Sequence, residues 1–327
     1  SVQFSRGCPF DCEFCDITKL FGRVPRTKSP EQMIAEFDLL YRLGWHGSLF
    51  VVDDNFIGNK RDAMRLLPEI KTWQKERGFP FSLYTEASVN LVEIPDMLDA
   101  MSDAGFNMVF LGIESPNEAA LLATKKKQNT TKSEDSGSYL LHAIRKIQEK
   151  GIEVTGGFII GLDGDTEFDS HIRFIQEAGV PRAMVGLLGA LKGTNLYHRL
   201  KHEGRLLEES TGNNTDLTLN FVPQLPRDQL IAEYRRVVST LYDPTLKNYF
   251  ERCLTMLKYL KLKEHNVRRV GKREVGAFFK SIMRQLFSNL LRNCGPHWFA
   301  KPLQVTNRII RVFNLEGSLL GHELNCT

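Results

Sequence analysis

Cys8, Cys12 and Cys15 fall in one short run, Cys8-Pro9-Phe10-Asp11-Cys12-Glu13-Phe14-Cys15. Three thiolates at a C-x3-C-x2-C spacing can each hold one iron of a 4Fe-4S cluster, which leaves the fourth iron without a protein ligand. That iron is then open to a small molecule. A structural zinc site would want four closed ligands, and no fourth Cys or His lies at zinc-knuckle distance. A disulfide framework is no easier to build, because six cysteines in 327 residues is sparse and Cys253, Cys294 and Cys326 are scattered singly.

Other chemistry-bearing residues follow apolar runs. Asp53-Asp54-Asn55 closes one such run, Glu86 another, Glu114-Ser115 a third, and Gly157, Ile159 and Gly161 punctuate a fourth. Side chains alternate in direction along a strand, so only one of Asp53 and Asp54 is expected to point inward. A lone Glu in a loop is usually a solvated charge. Glu86 and Glu114 stand out because they sit at matching positions after successive apolar runs.

The cysteine spacing, with aromatic Phe14 just before the last cysteine, resembles the signature of the radical S-adenosylmethionine superfamily. The runs Ser5-Arg6-Gly7-Cys8-Pro9-Phe10, Pro25-Arg26-Thr27-Lys28, Asp53-Asp54-Asn55-Phe56-Ile57-Gly58, Thr85-Glu86-Ala87-Ser88, Phe110-Leu111-Gly112-Ile113-Glu114-Ser115-Pro116 and Glu203-Gly204-Arg205-Leu206-Leu207 look like the cobalamin-dependent members. Leu241-Tyr242-Asp243-Pro244 and Tyr249-Phe250-Glu251-Arg252 extend the likeness into the helical C-terminal extension of hopanoid C-2 methylases.

The resemblance implies that S-adenosylmethionine chelates the open iron of a cluster on Cys8, Cys12 and Cys15. One electron then splits the sulfonium, and the 5'-deoxyadenosyl radical abstracts hydrogen from an unactivated carbon. It implies cofactor contacts from Phe14 (adenine), Asp53 or Asp54 (the methionyl ammonium), Glu86, Glu114, Ser115, and the bare backbone of a G-x-I-x-G strand at Gly157, Ile159 and Gly161. It also implies methylation of a hydrophobic, lipid-like substrate and a flavodoxin- or ferredoxin-type reductant. The alternatives are a radical reaction without cobalamin, or a non-catalytic module that only carries a cluster.

Two departures stand out. The superfamily's common Gly-Gly-Glu is Asp-Asp-Asn-Phe here, and the usual Pro-Gly-Thr-Pro after the sixth strand is Lys192-Gly193-Thr194-Asn195. Relatives carry an N-terminal cobalamin domain, whereas this sequence opens at Ser1 without Met, as a fragment or processed chain is expected to do. Were it complete, methyl transfer through cobalamin would lie beyond this polypeptide alone.

The elements that must position these groups can be read from the pattern. Apolar, β-branched runs at Val2 to Ser5, Ser48 to Val52, Phe81 to Thr85, Met108 to Ile113, Glu153 to Ile160 and Ala183 to Leu188 alternate with amphipathic stretches. Six strand-helix units imply an α/β fold, a partial (β/α) barrel with right-handed crossovers, and its function is expected at the strand C-termini. Ser29-Pro30-Glu31-Gln32 predicts a capped helix to about Leu43, Asn59 one over Lys60 to Arg77, and Ser138 one over Tyr139 to Lys150. The polar stretch Thr124 to Ser138, with Lys125-Lys126-Lys127, reads as a solvated loop, with substrate contact as the alternative.

After Leu207 the strand rhythm stops. Residues 1–207 are therefore expected to form the barrel and 208–327 a basic α-helical domain, with helices near Asp228 to Leu241, Pro244 to Leu262, Glu274 to Arg292 and Trp298 to Asn314. From Arg252 to Arg311 fourteen Lys/Arg oppose two Glu, a local +12 within a net +4. The stretch from Phe278 to Arg292 spaces apolar residues helically between cations, as a helix lying on an anionic membrane surface would. A core helix with solvated cations fits as well. Nucleic acid is not expected, since no binding motif or aromatic interleaving accompanies the charge. No membrane-span-length apolar stretch or secretory signal is present, which suggests a cytoplasmic protein, free or peripheral to the inner membrane face.

Overall fold

In a computed structural model, residues 1–131, 136–212, 217–263 and 265 are described. They belong to one compact unit, Ser1–Asn266. The front of the chain is irregular: β1 (Ser5–Arg6) and α1 (Ile17–Leu20) flank the cysteine loop, and β2 (Arg26–Thr27) returns antiparallel to β1. Then the strand-helix rhythm begins, with α2 (Pro30–Arg42), β3 (Gly47–Val51), α3 (Lys60–Glu76), β4 (Phe81–Ala87), α4 (Pro95–Asp103) and β5 (Phe106–Glu114). It continues with α5 (Glu118–Ala123), α6 (Ser136–Glu149), β6 (Glu153–Ile160), α7 (Phe168–Ala178) and β7 (Ala183–Leu187). The five strands β3 to β7 pair in chain order, all parallel.

The sequence's local signals account for these helices. Ser29 and Gln32 exchange side-chain bonds with each other's backbone N–H in a complete capping box at the start of α2. Asn59 accepts the Asp62 N–H at the start of α3. α6 begins at Ser136, two residues before the expected cap, so Ser138 lies inside its first turn. Gly179 ends α7 in the left-handed conformation, with φ 61°.

Alternation in β4 shows how the sheet divides its residues. Phe81, Leu83, Thr85 and Ala87 are buried, while Ser82, Tyr84 and Glu86 are half-exposed on the other face. Phe81 packs between Phe37 of α2 at 5.6 Å and Trp73 of α3 at 5.2 Å, so the buried face is the one under the helices. Burial of each such side chain stabilises the fold by about 1.5–3 kcal/mol, and Phe81→Ala would cost about 3–5 kcal/mol through the cavity it leaves. The opposite face sets an aromatic and aliphatic patch among the polar Ser82 and Glu86: Phe50 and Tyr84 stack at 4.7 Å, and Phe110, Ile159 and Met184 line the same side.

The first expected strand is shorter than its apolar pattern suggests. Val2 makes one parallel bridge to Val51, and the ladder stops there. The reason is chemical: the N–H groups of Phe4 and Ser5 bond to the Asp53 carboxylate rather than to a neighbouring strand. The first expected strand is thus joined to the five-stranded sheet by a bridge and a side chain.

After β7 come α8 (Asn195–His202), α9 (Arg227–Leu241) and α10 (Lys247–Tyr259). The fully buried Arg252 of α10 donates to the carbonyls of Val180, Pro181 and Leu241 and to Gln176 Oε1, fastening that helix to the end of α7. Among the described residues no helix is long and apolar enough to cross a membrane. The helices expected over Glu274 to Arg292 and Trp298 to Asn314, with the proposed interfacial stretch, lie outside the described residues.

Candidate active site

Asp53 explains why the cysteine loop leaves the barrel where it does. Its carboxylate is only 1% exposed. Oδ1 accepts from Phe4 N at 2.8 Å, and Oδ2 accepts from Ser5 N at 2.9 Å and from Ser5 Oγ at 2.6 Å. Burial pushes its pKa up, against the pull of those bonds. Asp54, half-buried, accepts from Gly7 N at 3.0 Å, one residue before Cys8. Asn55 completes the turn by donating to Ser88 Oγ at 3.1 Å and toward Cys8 Sγ at 3.7 Å.

The three thiols are free of disulfides, with Cys12 buried and Cys8 and Cys15 half-buried. Burial pushes the Cys15 thiol up to about 12 and raises Cys8, and neighbouring sulfurs add to both shifts. Iron binding must therefore displace their protons. Gln128 Nε2 donates to Cys12 Sγ at 3.3 Å. Among the described residues no three His, Cys, Asp or Glu side chains converge on one ion; in a 4Fe-4S cluster each thiolate meets a different iron. Amide donors aimed at two sulfurs and three thiols close enough to feel one another's charge fit a cluster.

Glu86 lies inside β4 rather than after it, on the face that carries Tyr84. Burial raises its pKa first, and the carboxylates of Asp54 and Asp53 raise it further. Three carboxylates thus gather beside the cysteine loop and favour a cation there. Glu114, the last residue of β5, takes a left-handed φ of 65° that side chains rarely adopt. This turns its carboxylate inward to Lys126, with Oε1–Nζ 2.7 Å and both side chains about nine-tenths buried. A Cβ on Gly112 would lie 2.6 Å from Glu114 Oε1 and 2.8 Å from Lys126 Nζ, so any larger residue there would force the pair to shift.

Lys126 was not legible as a site residue. Its ammonium stands 5.9 Å over the half-buried Phe14 ring. Burial opposes its charge, but Glu114 and the Cys12 sulfur outweigh that and hold its pKa above the ordinary lysine value. The stretch expected to be a solvated loop is therefore partly interior. Lys126, Gln128 and Asn129 are buried, and Asn129 donates to the carbonyls of Gly112 and Ile113, each at 2.9 Å. The lysine run was the available signal, and its polar surroundings masked it.

Ser115 is fully buried, donating to Asp165 Oδ2 at 2.7 Å, while His171 Nε2 lies 2.8 Å from the same oxygen. This network ties the ends of β5 and β6 to α7. Gly157 and Ile159 are half-buried, with the Phe110 ring over Gly157 so that a Cβ there would meet Phe110 Cζ at 3.0 Å, whereas Gly161 (φ +100°) is buried and a Cβ on it would meet Leu230 Cδ2 at 3.1 Å. Asn195, at the departure from Pro-Gly-Thr-Pro, stands 3.5 Å from both Asp11 Oδ1 and Lys19 Nζ.

A family profile described as the Radical SAM superfamily matches residues 2–175, and one described as a domain of unknown function, DUF4070, matches residues 194–294. An uncharacterised methyltransferase of Synechocystis is 49% identical over 247 residues, covering 75% of this chain and 45% of the relative. The hopanoid C-2 methylase of Rhodopseudomonas palustris is 41% identical over 253 residues, covering 76% and 46%. The chain thus spans less than half the length of these relatives. Among solved structures, the radical S-adenosylmethionine methyltransferase TsrM of Kitasatospora setae, with cobalamin and a 4Fe-4S cluster bound, has a TM-score of 0.60 at 14% identity, covering 96% of this chain and 60% of that one. That likeness shows the fold, and the profile over the barrel shows the family: the chain belongs to the radical S-adenosylmethionine superfamily.

Proposed function

We propose that this chain is the catalytic portion of an enzyme that methylates an unactivated carbon of a hydrophobic, lipid-like substrate. The observation that carries the substrate class is the patch on this sheet face: Phe50 stacked on Tyr84, with Phe110, Ile159 and the 68%-exposed Met184, beside the carboxylates and the cysteine loop. Such a patch favours an apolar molecule, which would displace water from it on binding. The methyltransferase and hopanoid methylase names of the two relatives support the reaction class.

In this reading Cys8, Cys12 and Cys15 hold the cluster. Asn55 and Gln128 donate toward its sulfurs, which stabilises charge on them. Asp54 and Glu86 receive the methionyl ammonium, because Asp53 is already engaged by Phe4 and Ser5. Phe14 faces the adenine, and Gly157 and Gly161 let backbone approach it. Glu114 and Ser115 act indirectly, the first by seating Lys126 and the second by bracing α7. When bound, the cluster and S-adenosylmethionine supply the electron transfer and the hydrogen-abstracting radical, with a flavodoxin- or ferredoxin-type protein as reductant. Cobalamin is bound by the TsrM structure, and no residue of this chain is assigned to it.

The test is anaerobic reconstitution with iron and sulfide, followed by dithionite, methyl-labelled S-adenosylmethionine and a hopanoid-type polycyclic lipid. The reading expects 5'-deoxyadenosine, and label in the lipid once the full-length protein and cobalamin are supplied. Formation of 5'-deoxyadenosine with an altered but unlabelled lipid would replace methylation by a cobalamin-independent radical reaction. No 5'-deoxyadenosine at all would leave a cluster-bearing module.

A further inference from the structure

Glu13 lies between two of the three cysteines and is pinned from outside their loop at every polar group it has. Its backbone N–H donates to Thr124 O at 2.9 Å, and its carbonyl accepts from Leu196 N at 2.9 Å. Its carboxylate, on a residue 6% exposed, takes Arg199 Nε at 2.6 Å and Arg199 Nη2 at 3.1 Å, a two-point fork. Arg199 is held in turn by Asp163 at 2.9 Å and Glu203 at 3.1 Å, and Arg205 grips the same Asp163 at 2.8 and 2.9 Å.

These partners come from three places: the end of α5, the loop after β6, and α8 with the turn that follows it. A solvated loop glutamate would have no use for them. A planar guanidinium locked by two carboxylates has little freedom left, so it fixes the carboxylate it binds in direction as well as in distance. Fixing Glu13 fixes the backbone of Cys12 and holds the spacing of Cys12 and Cys15.

We infer that Glu13 and Arg199 are positioning residues for the cluster-bearing loop, and that the first helix of the DUF4070 region, α8, serves as a clamp on the cysteines of the barrel. This rests on the assignment of Cys8, Cys12 and Cys15 as cluster ligands. It adds a role for a segment whose family description carries none. Asp163 extends the clamp to the loop that follows Gly161, so the Gly157–Gly161 backbone and the cysteine loop are held by one set of charges.

The experiment compares the reconstituted full chain with Arg199→Met, Glu13→Gln and, as a control, Arg205→Met. Arg205 shares Asp163 and Glu203 with Arg199 but makes no bond to Glu13 in the structure. Two readouts are used: the rate at which a chelator strips iron from the reduced cluster, and the rate at which the buried Cys12 of the apo chain is alkylated. Arg199→Met and Glu13→Gln are expected to speed both several-fold, because each removes the fork that fixes the backbone between Cys12 and Cys15. Arg205→Met, which leaves the Glu13–Arg199 fork in place, should fall well short of Arg199→Met in both even if its melting temperature falls. Arg199→Lys, which keeps the charge but loses the fork, should be intermediate.

Equal lability in the Arg199 and Arg205 variants would reduce the network to general stability and overturn the inference. So would wild-type rates in Arg199→Met or Glu13→Gln; if Arg199→Met does not fold, Glu13→Gln, which preserves side-chain size, decides. A wild-type chain that takes up no cluster would instead defeat the ligand assignment itself.

Discussion

Asp53 and Asp54 are adjacent in sequence and divide two tasks between them. The strand period said that they would point apart. Which one turns inward could not be read, because the deciding partners, the amides of Phe4 and Ser5, are nearly fifty residues away in the chain. Asp53→Ala strips three bonds from buried donors, so a loss of about 1–3 kcal/mol per unpaired group is expected, measurable as a lower denaturant midpoint, together with a cluster that no longer loads. Asp54→Asn should leave the melting temperature within a degree or two of wild type and raise the KM for S-adenosylmethionine; an unchanged KM would remove Asp54 from the ammonium site. Lys126 shows the opposite failure of legibility. A lysine run in a polar stretch is a solvated face by default, and only the fold brings Glu114, Phe14 and Cys12 around it. Lys126→Met leaves Glu114 buried without a counter-ion and should cost about 3–5 kcal/mol in urea unfolding. Lys126→Met with Glu114→Gln should recover most of that loss, and no recovery would mean that the pair does not interact as its geometry says.

At the scale of elements the parallel strands were legible from apolar runs and caps, since both are local. The irregular parts were less so. Val2 to Ser5 has the composition of a strand but ends its ladder at Val51 because a side chain captures its amides, a tertiary event no periodicity reports. Thr124 to Ser138 looked like a connection and instead packs Gln128 and Asn129 into the site. The loop after β6 belongs with α8 through Asp163. Burial acts to raise that carboxylate, but Arg205 and Arg199 outweigh it and hold its pKa below the ordinary aspartate value. A carboxylate lowered in the folded state contributes stability that is present above its unfolded pKa, near 4, and lost as pH falls through the folded value. Asp163→Asn is therefore expected to lower the melting temperature at pH 7 and to flatten the acid side of the stability curve. A variant with the wild-type acid limb would show that Asp163 does not carry this dependence.

Among the described residues, one face of the sheet carries Phe50, Tyr84, Phe110, Ile159 and Met184, with the carboxylates of Asp54 and Glu86 beside the cysteines. Its relatives named as methyltransferases are more than twice as long as the matched region, so the substrate is best sought with the full-length protein. The sequence places +12 of charge between Arg252 and Arg311. Flotation of the intact chain with anionic vesicles, compared with neutral ones, tests whether that charge meets a membrane: salt-sensitive retention on anionic vesicles alone is expected, and its absence would dismiss the surface role. The cysteine motif was legible at once because its ligands are local, whereas the groups that hold it in place, from Asp54 and Asn55 to Gln128 and Arg199, are spread along the chain. The central claim is that Cys8, Cys12 and Cys15 carry a cluster with one iron free to take S-adenosylmethionine. Electron paramagnetic resonance of the anaerobically reduced chain, recorded before and after addition of S-adenosylmethionine, tests it most directly. A reduced 4Fe-4S signal that changes shape on addition, and is absent when all three cysteines are alanine, is the predicted result; no cluster signal, or one undiminished in the triple variant, would contradict the account.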